Sequence, residues 1–195
     1  MRLRAALFLL VLMVPVLSAC ETAPPATTFP ELTFRHKQPI RLAVGSIEIY
    51  NEFRMPFAPP NVEHKMPVAP GPAAERWGQD VLQAAGGPDK LVMVITDASV
   101  TETPLKRKKG LEGAFTNEQT ERYDGRIAVR LEIRTALNKR RAVAEAFATR
   151  STTIPEDASL NDRETLWYGL TEKLLDDFDT AVRPQVSAHL GDFLR

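Results

Sequence analysis

Tyr123-Asp124-Gly125-Arg126-Ile127-Ala128-Val129-Arg130-Leu131-Glu132-Ile133-Arg134 alternates apolar and charged side chains with a period of two. Ile127, Val129, Leu131 and Ile133 fall on one side, and Arg126, Arg130, Glu132 and Arg134 on the other. That pattern is a strand with one buried and one wet face. Gly125 supplies permissive backbone where the strand begins. A turn at 137–139 leads into 142–149, where Val143 and Phe147 oppose small alanines, so the two segments are expected to pair as an antiparallel hairpin.

Working outward, Val92, Met93, Val94 and Ile95 follow one another within 91–100, which suits a central strand covered on both faces. In 40–50 the apolar residues alternate as Ile40, Leu42 and Val44. They resume out of step as Ile47 and Ile49, which predicts a strand with a bulge at Gly45-Ser46. Residues 73–85 place Ala74, Trp77, Val81 and Ala85 on one helical face, with Gly86-Gly87 positioned as a C-cap. A longer helix starts near Ser159 or Asn161, the latter with Glu164 resembling a capping box. It carries Leu166, Trp167, Leu170, Leu174, Leu175 and Phe178 as an apolar stripe. Pro184 either kinks it or opens a second segment, in which Val186, Leu190 and Phe193 stay in phase.

The order β-α-β-β-β-α predicts an α+β fold: a four-stranded, largely antiparallel sheet with two helices packed on one face and the arginine-rich face left wet. No internal repeat is present. Between the first strand and first helix, 51–72 is crowded by Pro56, Pro59, Pro60, Pro67, Pro70 and Pro72, which oppose both helix and sheet pairing. Met55, Phe57, Val62 and Met66 are interleaved with these prolines. The segment is therefore either an arm offering apolar side chains to a partner or a wrap around its own sheet.

Ahead of the domain, Arg2 and Arg4 precede an apolar run over 5–16 that is too short to cross a bilayer, the layout of a signal peptide spanning 1–19. Its removal leaves 176 of 195 residues, the size of one domain, read as 39–195 behind an extended, proline-bearing tether over 20–38. Losing Arg2 and Arg4 leaves 23 basic residues against 25 acidic ones, a formal charge of −2, with no general pull toward nucleic acid.

Leu17-Ser18-Ala19-Cys20 resembles the lipobox of bacterial lipoproteins. The resemblance implies a diacylglycerol on the Cys20 thiol and an N-acyl chain on the new amino terminus, anchoring that needs more than one chain to be stable. With Cys20 lipidated, no thiol remains for a disulfide, a zinc site or a nucleophile. Glu21 in place of the aspartate of the enterobacterial retention rule leans toward the outer membrane. By element order, the domain also resembles the lipopolysaccharide-assembly lipoprotein and the auxiliary lipoproteins of ABC-type lipid transport systems, a fold-level analogy.

No motif for catalysis follows. His36, His64 and His189 lack ligand spacing, so no metal and no cofactor are expected. Asp176, Asp177 and Asp179 read as a solvated helix face, and Ser99 has neither an elbow motif nor a nearby histidine. Lys106-Arg107-Lys108-Lys109 is either a solvated loop or a contact for anionic lipid, lipopolysaccharide phosphate or an acidic partner. The expected function is a non-enzymatic, membrane-anchored accessory or assembly subunit of an envelope complex that moves lipid or lipopolysaccharide. The alternatives are a stand-alone structural lipoprotein and a periplasmic hydrolase with a dispersed site.

Overall fold

The alternating segment lies within a longer strand, β6, and its partner is equally long. A computed structural model describes residues 28–106 and 119–195 and contains, in chain order, β1 (Ile40–Leu42), β2 (Ser46–Asn51), α1 (Pro70–Val81), β3 (Leu82–Ala84), β4 (Lys90–Asp97), β5 (Val100–Pro104), β6 (Gln119–Arg134), β7 (Arg140–Pro155) and α2 (Leu160–His189). Single 3-10 turns occupy Glu63–Lys65 and Gly191–Phe193.

The expected hairpin is present, with Ile127, Val129, Leu131 and Ile133 facing Ala148, Ala146, Ala144 and Ala142 across the strands. These alanines leave room for α2 to lie close over β7, so the stripe of Trp167, Leu170, Leu174, Leu175, Phe178, Val182 and Val186 is buried. At about 1.5–3 kcal/mol for each large side chain, that stripe is a main source of stability. On β4, Leu91, Met93 and Ile95 pair with Ile133, Leu131 and Val129 and extend the same apolar face beneath α1. Trp77 of α1 meets Phe178 of α2 edge to face at 4.9 Å, closing the core between the helices.

The sheet departs from the expected four antiparallel strands. Five strands form the main sheet, and β2 runs parallel to β4, because α1 is a crossover between them. β4 and β5 lie end to end on one edge of β6, broken by a register shift after Ile95, and β7 covers the other edge. The 40–50 segment is two strands rather than one bulged strand. β1 leaves the main sheet to pair in parallel with β3, and only β2 joins β4. The break falls where Gly45 and Gly87 let two backbones touch: a Cβ on Gly45 would lie 2.6 Å from the Gly87 carbonyl oxygen.

Helix boundaries differ for local reasons. α1 starts at Pro70 instead of Ala73, since prolines in the first turn lack only amide hydrogens that have no intrahelical partner. Its end is followed at once by β3, so Gly86-Gly87 forms the β3–β4 turn and not a helix cap. The α2 cap is Ser159 with Asp162, whose side chains and backbone N–H groups satisfy each other, in place of Asn161 with Glu164. Pro184 sits inside a single continuous helix.

The predicted tether is shorter than 20–38. Phe29 stacks on Tyr168 at 5.2 Å, and Leu32 and Phe34 are core residues. The Phe34 N–H donates to Asp80, Lys37 pairs with Asp176, and Arg183 donates to the Gln38 carbonyl. Residues 29–38 thus form a strap along α2, running from its amino-terminal third toward its carboxyl end. Their apolar side chains, few as they are, find a groove between the helices that periodicity in a short segment does not reveal.

Candidate functional site

The features singled out in the sequence do not gather into one pocket. Cys20 and Arg107, Lys108 and Lys109 lie outside the described residues. Lys106 is exposed just after the end of β5. Of the proposed arm, Val62 and Met66 are buried in a second, smaller core with Val100, Tyr123, Ile154, Trp167 and Leu170. These two side chains are therefore not available to a partner. Met55 is half-buried. Phe57 alone is held out, 70% exposed, with its ring tilted against His64 at 5.5 Å.

The arm is held by backbone bonds to β5: the Val62 N–H donates to the Val100 carbonyl, and the Glu102 N–H to the Pro60 carbonyl. Glu63 is buried beside them and accepts from the Val100 N–H and from Asn61. Wrapping and presentation thus divide within one segment.

The open sheet face carries the charges that the alternation predicted, organised around Glu132. This carboxylate is fully buried under Arg130, Arg134 and Arg140, at 2.6, 2.6 and 3.0 Å. Burial alone would raise its pKa, but the hydrogen bonds from Arg134 and Arg130 outweigh it and hold the carboxyl below its ordinary range. A folded-state pKa below the unfolded value means that the stabilisation is present above about pH 4.3 and is lost as pH falls through the folded value. Glu132→Gln is expected to cost about 1–2 kcal/mol at pH 7, discounted because the arginines are partly solvated, and to flatten the acid limb of the stability profile. Urea melts of both proteins between pH 7 and pH 3 measure this; equal acid slopes would contradict it.

Elsewhere on the same face, Arg126 pairs with Asp97 and lies over the exposed Phe147 ring, 4.8 Å from its centre. Near the opposite end of β6, Arg163 of α2 pairs with Glu121 and donates to the Tyr123 hydroxyl, which itself donates to Glu121 at 2.5 Å. Burial, together with that donated hydrogen bond, pushes the Tyr123 hydroxyl pKa far up. These groups are occupied with one another and hold α2 to the sheet.

The remaining polar candidates have structural partners. Asp176, Asp177 and Asp179 are not simply solvated: they bind Lys37, Arg150, and Arg183 together with Trp77. Ser99 is tied into the β4–β5 break through the Asp97 carboxylate and the Arg126 N–H. Among the described residues, no group of three or more His, Cys, Asp or Glu could hold a metal ion. No described helix is long and apolar enough to cross a membrane. The sequence reading missed the strap and the arginine cage. The cage was signalled by Arg130, Glu132 and Arg134 at every second position of one strand face.

No protein-family model matches the chain, and no curated protein matches it. Among solved structures it is similar to a minor lipoprotein from Acinetobacter baumannii, with a TM-score of 0.38 and 16% identity over 75% of this chain and 93% of that one. It is also similar to a Xanthomonas campestris protein of the DUF330 family, with a TM-score of 0.36 and 10% identity over 83% of this chain and 94% of that one.

Proposed function

We propose that this chain is a lipid-anchored lipoprotein of the bacterial envelope, facing the periplasm from the outer membrane. In this reading it serves as a non-enzymatic accessory or assembly subunit of a complex that moves lipid or lipopolysaccharide. The observation that carries the reading is Leu17-Ser18-Ala19-Cys20 behind a basic, apolar leader, in a chain whose only cysteine is Cys20. The strap supports it, because residues 29–38, downstream of Cys20 in the sequence, are packed onto the domain. The open sheet face, with Phe147 and Tyr50 exposed among paired charges, supplies a surface of mixed character for a protein partner.

Cys20→Ser is expected to move the protein from the membrane pellet to the soluble periplasmic fraction and to abolish incorporation of labelled fatty acid. Retention of both would overturn the anchor. Crosslinking before gentle solubilisation, followed by affinity purification, tests the role: a transporter or outer-membrane barrel in the eluate supports it. An eluate holding only this chain would favour a stand-alone structural lipoprotein.

A further inference from the structure

Between two pinned points the proline arm rises into a short exposed crown. Upstream, Phe53 packs against the main core and its N–H donates to the Asn51 side chain; downstream, Val62 and Met66 enter the smaller core. Pro56, Phe57, Ala58, Pro59 and Pro60 between them are all exposed. The Asn61 N–H closes a turn on the Ala58 carbonyl, and the Pro60 carbonyl accepts from the Glu102 N–H. An antiparallel bridge from Asn61 to Thr101 carries the crown along β5 toward Thr103 and Pro104, which are exposed as well.

At the head of this crown Phe57 has φ 54, a backbone region that a bulky side chain enters only at a cost, and it is 70% exposed. The contact of its ring with His64 at 5.5 Å steadies the phenyl group without covering it. An aromatic ring held toward solvent adds no burial to the fold, and backbone strain of this kind collects at ligand-binding and switch sites. Charge selects the chemistry of the partner. Residues 56–60 carry no ionisable side chain, and the groups beside them that reach solvent cancel, Glu52 and Glu102 against Arg54 and Lys65, while Glu63 is buried. Such a surface has no preference for anionic lipid or nucleic acid. It matches the charge-depleted core of a protein interface, where aromatic side chains are enriched.

We infer that Phe57 is the anchor of a protein–protein contact, in which the crown over 56–60 inserts the phenyl ring into an uncharged, apolar pocket of an envelope protein. This docking deepens the accessory role proposed above and relies on it for the existence of a partner. Because the crown is already ordered, binding loses little conformational entropy, and a single ring can carry much of the affinity.

The test places a photo-crosslinking phenylalanine analogue at position 57 of the full chain in intact cells, with Leu137, 81% exposed in the β6–β7 turn, as the control position. Irradiation is expected to join position 57, and not position 137, to one protein, through a peptide of that protein made up of apolar residues. That protein is then purified and its affinity for the full chain measured. Phe57→Asn, whose side chain tolerates the left-handed region, is expected to keep or raise the urea midpoint while weakening binding about thirty-fold or more. Phe57→Leu should weaken binding by less than about tenfold, and Leu137→Ser by no more than about twofold.

Crosslinking at 57 to lipid alone, to a second copy of this chain or to no molecule overturns the inference. So does wild-type affinity in Phe57→Asn, or a fall in its urea midpoint large enough to account for the lost binding. A partner that co-purifies through another surface overturns docking at Phe57 and leaves the accessory role standing, whereas the absence of any partner overturns both.

Discussion

Trp77→Ala is expected to lower stability by about 4 kcal/mol, the range found when a fully buried large aromatic is truncated in a packed core. Trp77 has no exposed surface, and its ring joins α1 to α2 through the edge-to-face packing on Phe178. Its Nε1–H also donates to Asp179 at 3.0 Å, and Asp179 in turn accepts two bonds from Arg183, which reaches the strap carbonyl at Gln38. Truncation therefore opens a cavity and removes one of the donors to a buried carboxylate. With a urea m-value of about 2 kcal/mol/M, the midpoint should fall by about 2 M at unchanged m. Trp77→Phe keeps most of the volume, and Asp179 keeps Arg183, so its loss should be near 1–2 kcal/mol. Equal midpoints for wild type and Trp77→Ala would contradict this account of the core.

Gly87→Ala is expected to cost about 3 kcal/mol or more, although it adds a single methyl group. Gly87 has φ 146, where an L side chain is strained, and its Cβ would stand 2.5 Å from the Ala43 carbonyl oxygen. Backbone has to move on one side or the other, and that backbone extends the β1–β3 pairing through the Ala85 and Gly86 N–H groups, which donate to the Leu42 and Val44 carbonyls. Gly45→Ala meets the same junction from the other side, 2.6 Å from the Gly87 oxygen. Because both changes force apart one contact, the double variant should be less destabilised than the sum of the two single ones. A denaturant-based double-mutant cycle measures the coupling; strict additivity would show that the two sites relax independently.

Where a residue's fate depended on its near neighbours in sequence, the fold could be read from the chain. The β6–β7 hairpin and the α2 stripe came directly from periodicity, since each element exposes one face and buries the other. What failed depended on distant partners. The slip at Gly45-Ser46 marked the break between β1 and β2 but not that they join different sheets, because that division is enforced by Gly87, Asp89 and Phe193, which approach from elsewhere in the chain. The parallel pairing of β2 with β4 follows from α1 crossing between them, and a single strand pattern carries no direction. Within 51–72 the wrap around its own sheet holds for Val62 and Met66, which are core, whereas the prolines misled at Pro70, which opens a helix it was read as opposing. The candidate site was less legible still, since Arg140 joins Arg130 and Arg134 around Glu132 only once β7 pairs with β6.

Under the proposed lipid anchoring, copies of this chain gather on one surface, where the placement of β7 matters. Among the described residues this strand of 16 residues pairs only with β6, so one side of it is an open edge. Molecules confined to two dimensions meet at high local density, and such an edge invites strand-to-strand growth between neighbours. Along its length stand Arg140, Arg141, Glu145 and Arg150, Pro155 closes its end, and α2 lies over one face. The same arginines that cage Glu132 and grip α2 through Asp177 thereby keep crowded copies from zipping together. Resistance to self-association and cohesion within the fold are written in one strand.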